Sequence, residues 1–336
     1  MRFQMIATDF AIDLGTSNIL VYKKGDGLII NEPSSLVLDD NRSKVLAVGK
    51  EAKDMLGKTH EDIKVVKPIK NGVITDFNLT EALLNYFFDK VNVGFSFIQP
   101  RVVIVVPSGI TDIQKRAVED AALHAGSRDI ILVDESLAAA YGMDLEPENP
   151  KGILMINMGA GTSQVAVIAL NGIVVSSTIN KGGDYIDDMI IDYFREEKGL
   201  EIGKNSAEEV KIKLGSLKVK DGKNEMEVNG RNLDDARPKT VNLMSNELVS
   251  SILPFADELC DLVFEVLEKT PPEISSDIKK NGFTLSGGLS QLSGMGEYLE
   301  KKIGLKSYHS EDPLTDAILG AGKILENPDK YLKYHK

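Results

Sequence analysis

Residues 10–32, FAIDLGTSNILVYKKGDGLIINE, decide the reading of this chain. Phe10 and Ile12 lead into a tight polar turn, Ile19 to Tyr22 continue as a second apolar run, and Gly25-Asp26-Gly27 is a hairpin signal before a third. In the first turn a glycine is followed by small hydroxyl and amide residues, Thr16, Ser17 and Asn18. That composition lets backbone N–H groups approach an anion closely. Asp13, just before the turn, would repel a phosphate directly. It makes sense if a metal ion or a metal-bound water stands between the two.

The design returns at residues 153–175, ILMINMGAGTSQVAVIALNGIVV. Laying Asn157-Met158-Gly159 over Asp13-Leu14-Gly15, and Thr162-Ser163-Gln164 over Thr16-Ser17-Asn18, leaves Ala160 and Gly161 as two extra residues in the second turn. A repeat of this kind implies two related halves whose turns face each other across a cleft. Chance similarity of two hairpins is the competing explanation.

Composition narrows the class. A chain of 336 residues can bury a large core and is expected to form two domains, or two halves with insertions. Its net charge of −12 argues against nucleic acid as a partner, because phosphate backbones call for clustered Lys and Arg. Cys260 is the only cysteine, so no intramolecular disulfide forms. His60, His124, His309 and His335 lack ligand spacing, which speaks against a zinc site. There is no apolar run of transmembrane length and no signal-peptide core, so a cytoplasmic protein is expected. The excess of Lys over Arg and the absence of Trp fit an AT-rich genome.

Between the repeats the chain alternates. Residues 33–64 form a polar insert, and Asn71-Gly72 marks a turn. Helical spacing follows over 78–91, with Leu79, Leu83, Leu84, Phe87 and Phe88 on one face. Residues 101–106 (RVVIVV) read as a strand covered on both faces, Thr111 to Gln114 as a capping box, and 130–133 as another buried strand. Asp134-Glu135-Ser136 opens a small-residue helix. In the second half, Gly182-Gly183-Asp184 opens a helix and Ser206 to Glu209 is read as a second capping box. Residues 218–240 look like a second insert, with turns at Asp221-Gly222 and Asn229-Gly230. A long helix from about Ser245 to Lys269 is expected to bend or divide at Pro254. Phe283 to Gly288 is a strand entering a glycine turn, and a last helix is expected to start near Asp312-Pro313. The fold class is α/β.

With both turns, the strand–helix pair and the late Gly-Gly turn in place, the chain resembles the actin/Hsp70/sugar-kinase ATPase superfamily and, more narrowly, the MreB family of bacterial actins. The wording is close in IDLGTSN, NEPSSLV, GVITDF, PRVVIVVPSGIT, KRAVEDAALHAG, INKGGDYID and EDPLTDAILGAG, in this order along nearly the whole chain. The resemblance implies an actin-like ATPase fold: two duplicated RNase H-like halves, an inserted subdomain in each, and ATP or ADP with Mg2+ in the central cleft. The four subdomains would be residues 1–32, 65–141 and 310–336 (IA); 33–64 (IB); 142–181 and 245–309 (IIA); and 182–244 (IIB). It also implies filaments assembled from copies of the chain.

Carried over residue by residue, the resemblance assigns the first phosphate turn to Thr16, Ser17 and Asn18, and the second to Gly159, Ala160 and Gly161. Glu208, Glu209, Val210 and Lys211 match the helix beside the nucleoside, and Gly287, Gly288, Leu289 and Ser290 the adenosine turn. Asp13 and Asn157 would hold the metal, the latter through water. Glu135 stands where the family places the residue that positions or deprotonates the attacking water, with Thr162 opposite. A carboxylate at a strand end beside the γ-phosphate suits that role. The alternative for Glu135 is an acid complementing a helix dipole.

The departures from the family pattern are concentrated in the second turn. Asn157 replaces an acid, Ala160 a glycine and Gln164 an acid; Leu289 replaces a glycine of the adenosine turn, and Lys181 a small apolar residue. An amide brings no negative charge to the metal's hydration shell, and a methyl group crowds a phosphate-binding backbone. ATP is therefore expected to bind and to be hydrolysed slowly. Residues 93–98, with Phe95, Phe97 and Ile98, read either as an apolar loop dipping into the inner membrane face or as a short core strand. The basic tail Lys330 to Lys336 would assist such a contact or stand as a solvated end. Three rival functions share the fold. A small-molecule kinase would need larger inserts, an Hsp70-like chaperone a substrate domain after Lys336, and an accessory polymer subunit would act on MreB-like paralogues.

Overall fold

The computed structural model describes residues 8–39, 44–58, 63–91, 99–218 and 224–331. Residues 93–98, with Phe95, Phe97 and Ile98, residues 221–222 and the last five residues of the basic tail lie outside them. Two five-stranded sheets carry the molecule. The first runs in the order Asp129–Asp134, Arg101–Val106, Phe10–Leu14, Asn18–Lys23, Gly27–Pro33. The second runs Ser307–His309, Phe283–Ser286, Ile153–Met158, Ser163–Ala169, Gly172–Ile179. In both, three antiparallel strands are followed, on the other side of the opening strand, by two strands parallel to it. The mixed α/β architecture and the duplication are as the repeat implies.

The ladders correct the alignment of the two turns. Asp13 stands opposite Leu20 and Leu14 opposite Ile19; Asn157 stands opposite Gln164 and Met158 opposite Ser163. The two turns are therefore equal in length, Gly15–Asn18 against Gly159–Thr162, with no inserted residues. Matching Thr and Ser by type misplaced the second copy by two positions. Cross-strand register, which decides which face each side chain takes, is the stricter criterion.

Among the described residues, two helices, Glu135–Gly142 and Asp316–Glu326, separate the sheets. Ala138, Ala139, Ala140, Ile318 and Ala321 join Ala11, Val103 and Val105 of the first sheet and Met155, Ala166 and Ile168 of the second in one buried cluster. The helices cross at glycine. A Cβ on Gly320 would overlap the Ala138 carbonyl oxygen, and one on Gly142 the Asp316 carbonyl. Outside this layer each half has its own core, one around Phe10, Phe87 and Phe88, the other around Phe194, Phe255 and Phe283.

Each half carries a small sheet of its own. Leu36–Asp39 pairs with Val45–Val48 and Ile63–Val66, beside the short helix Lys50–Asp54. In the second half Leu200–Glu201, Glu225–Asn232 and Pro238–Met244 form three strands. The Thr111 box is formed as read, with side chain and backbone of Thr111 and Gln114 exchanging hydrogen bonds. The Ser206 box is not. The helix there begins earlier, at Lys204 after Gly203, so Ser206 lies inside its first turn.

Pro254 does not divide its helix, Val249–Lys269. It falls near the start, where a proline removes a single bond to the preceding turn. The last long helix starts at Asp316 rather than Asp312-Pro313, because Pro313 accepts a hydrogen bond from Gly287 N–H (3.0 Å) and Asp312 is held by Thr315. The helices Pro272–Asn281 and Met295–Ile303 escaped the sequence reading, although prolines at 271–272 and Gly294 and Gly304 punctuate them.

The glycine crossing yields a first prediction. Gly320→Ala forces the two helices apart and is expected to lower stability by about 1–3 kcal/mol, read as a lower denaturation midpoint at unchanged slope.

Candidate functional site: a nucleotide-sized cleft between the halves

The two turns meet at the seam. The Gly15 carbonyl accepts the Ser34 hydroxyl (2.6 Å), Asn18 Nδ2 donates to Asn31 (2.7 Å), and Thr16 Oγ1 accepts Gly72 N–H (3.0 Å). In the second turn, Gly159 and Ala160 carbonyls accept the N–H groups of Gly183 (3.0 Å) and Asp184 (2.8 Å), which begin the helix Gly183–Lys198. Gly161 faces Thr16 and the Asn71 backbone so closely that a Cβ would overlap both. The Asn71-Gly72 hairpin, with φ of 50° and 71°, is thus a third wall of the site. The sequence showed it as a turn and gave no sign that it touches Thr16.

Between the halves lies a cleft of about 780 Å³. Asp13, Thr16, Ser17, Asn18, Glu135, Asn157, Gly159, Ala160, Gly161, Thr162, Glu208, Lys211, Gly287, Gly288 and Leu289 line it. Glu209, Val210 and Ser290 do not. On the helix Lys204–Leu214, positions three to four apart share a face. Glu208 and Lys211 turn to the cleft, Ala207, Val210 and Leu214 enter the core, and Glu209 is exposed and pairs with Lys213. Ser290 is buried, its N–H bonded to the Gly287 carbonyl (3.0 Å). Leu314 and Ile212, unread in the sequence as site residues, are exposed aliphatic side chains on the cleft wall.

Acidic groups gather at its base. Asp134 caps the helix by accepting Ser136 N–H (2.9 Å) and Leu137 N–H (3.3 Å), and also takes the Ser108 hydroxyl (2.8 Å). Capping therefore belongs to Asp134, and Glu135 is left to face the cleft. Burial raises the Glu135 pKa; hydrogen bonds from Asn157 and Gln164 oppose the rise and the Asp134 charge adds to it. Asp13 is pushed from 3.8 up to about 8, first by burial and second by the charge of Glu135. Two half-buried carboxylates that repel each other suit a divalent cation. No cluster of three His, Cys, Asp or Glu occurs among the described residues. Mg2+ commonly takes one or two carboxylates and completes its shell with phosphate oxygens and water, so this donor set fits it.

Two ion pairs bridge the cleft from half to half: Lys53 to Glu208 at 2.8 Å and Lys67 to Asp184 at 3.4 Å. Lys211 is anchored by Asp187 (2.8 Å) and donates to the Gly183 carbonyl (2.9 Å), bracing the loop that holds the second turn. Lys181 points away from the cleft, paired with Glu258 at 2.5 Å and over the Tyr185 ring.

A family model described as MreB/Mbl protein matches residues 7–333. The chain belongs to the MreB/Mbl family. It is similar to the cell shape-determining protein MreB of Escherichia coli (strain K12), 40% identical over 333 residues that cover 97% of this chain and 96% of that one. Among solved structures, MreB5 of Spiroplasma citri bound to ADP superposes with a TM-score of 0.92 at 33% identity, covering 98% of this chain and 99% of that chain. The same protein has been solved bound to AMPPNP. The MamK double helical filament, at 20% identity and a TM-score of 0.80 over 96% and 99% of the chains, shares the actin-like fold. No helix among the described residues of this MreB/Mbl-family chain is long and apolar enough to cross a membrane.

The raised Asp13 pKa has a sign. An acid at 3.8 unfolded and about 8 folded holds a proton only in the folded state between those values, so its contribution to stability falls as pH rises through that window. Asp13→Asn is expected to stabilise the ligand-free chain at pH 8 by about 1–3 kcal/mol, with little effect at pH 4, in thermal melts at the two pH values.

Proposed function

We propose that this chain binds Mg2+-ATP in the cleft and assembles with copies of itself into nucleotide-dependent cytoskeletal filaments that serve cell shape or movement in the cytoplasm. The observation that carries the reading is the convergence of two equal glycine turns, Asp13 and Glu135 on one nucleotide-sized cleft, in a chain of the MreB/Mbl family. MreB5 of Spiroplasma citri has been solved bound to ADP and to AMPPNP, in agreement with it. The four-subdomain division belongs to the same reading.

In this assignment the turns Thr16–Asn18 and Gly159–Gly161 hold the phosphates through backbone N–H groups. Glu208, Lys211 and the Gly287–Leu289 turn flank the nucleoside. Asp13 and, through water, Asn157 hold Mg2+, which when bound neutralises charge on the phosphate oxygens. Glu135 takes a proton from the attacking water, and Thr162 orients that water from the opposite wall. Asn157 contributes no charge to the cation shell and Ala160 adds a methyl group to the turn, so turnover is slow.

Sedimentation and phosphate release, measured together with ATP, ADP and no nucleotide, test this. Polymer that requires nucleotide, with slow phosphate release that rises in Asn157→Asp, is the expected result. Polymer without nucleotide dependence, or no polymer at all, refutes the filament reading. An Asn157→Asp variant with no gain in release refutes the account of slow turnover.

A further inference from the structure

Gln164 is fully buried, and both ends of its amide are committed. Its Oε1 accepts the Ser108 N–H at 2.8 Å, and its Nε2 donates to Glu135 Oε2. Those partners fix the amide's orientation, since the flipped form would set oxygen against carboxylate and NH2 against N–H. Ser108 lies in the loop that follows the strand Arg101–Val106 of the first half; Gln164 lies on the second-half strand Ser163–Ala169. The Ser108 carbonyl is held from the same side by the Thr178 hydroxyl at 3.2 Å. The amide thus spans the seam between the halves and ends on the group assigned to the attacking water.

The duplication supplies an internal control. The register position of Gln164 in the second sheet is occupied in the first by Leu20, opposite Asp13 as Gln164 is opposite Asn157. Leu20 is buried at that position. The sheet therefore accepts an apolar side chain there, and a buried amide adds a desolvation cost that an apolar residue avoids. A polar residue at this place is explained by what it touches.

We propose that Gln164 is a positioning residue for ATP hydrolysis, tying the Glu135 carboxylate to the Ser108 loop so that Glu135 is aimed at the attacking water only when the two halves are correctly seated. This rests on the hydrolysis reading above. Glu135 acts on water; Gln164 acts through Glu135. Misplacing a catalytic group by about 1 Å costs on the order of a hundredfold in rate, so the effect should fall on turnover and leave ATP binding alone.

The test is Gln164→Leu, with Gln164→Met as a second, unbranched variant. Steady-state phosphate release, ATP affinity and melting temperature are measured on the full chain. Expected is a kcat lowered about ten- to a hundredfold, with KM within about twofold and a modestly lower melting temperature, because the buried Ser108 N–H loses its acceptor. Unchanged kcat in a parent that does hydrolyse ATP overturns this role and leaves the hydrolysis reading standing. A fall in kcat that is matched by an equal loss of ATP affinity, or that disappears well below the melting transition, assigns Gln164 to packing and also overturns it. A parent that binds ATP yet releases no phosphate overturns hydrolysis, and this role with it.

Discussion

Everything in this molecule depends on how closely two helices pass. Glu135–Gly142 and Asp316–Glu326 occupy the space between two twisted sheets, and they fit because Gly142 and Gly320 present bare backbone to each other's carbonyls. Alanines at 138–140 and 321 keep the layer thin. A thin layer brings the opening strands of the two sheets near one another, and with them the turns at their C-terminal ends. The contact of Gly161 with Thr16 and Asn71 follows from it. Larger side chains at the crossing would be compatible with each half alone and incompatible with this seam.

The seam concentrates charge. Asp13 and Glu135 line the cleft and Asp134 precedes Glu135 at the helix start, and burial works against ionisation of all three. Asp134 is satisfied locally by Ser108 and two helix N–H groups, whereas Asp13 and Glu135 face each other. Asn157 and Gln164, neighbours across one ladder, contribute amides rather than further carboxylates. With carboxylates in their place, as many as five acids would gather there. Around the rim, Lys53, Lys67 and Lys211 pair with Glu208, Asp184 and Asp187, so the inserts and the second turn are joined by charges that salt can weaken.

Much of the site was legible because it is built from local chemistry. Glycine followed by small residues at a strand end marks a tight turn in either half, and Asp13 and Asn157 stand at equivalent positions in both. The errors have physical causes. The turns were aligned by residue type, and only the ladder shows Leu20 opposite Asp13 and Gln164 opposite Asn157. Val210 and Ser290 adjoin residues that line the cleft, but helix periodicity and a tight turn direct them inward. The Asn71-Gly72 hairpin was visible as a turn, yet its docking on Thr16 is a contact over 56 positions that no local pattern encodes.

The amino-acid sequence by itself determined the α/β class, the duplication, the two glycine turns and the family, since each is written in short-range patterns of apolar alternation, glycine and small polar residues. Tertiary structure alone decided which of these residues meet. It set the equal length of the turns, the crossing at Gly142 and Gly320, the ion pairs across the cleft, and the amide of Gln164 lying between Ser108 and Glu135. Those depend on how two sheets seat on one thin helical layer, a distance fixed by packing across the chain rather than by neighbours along it.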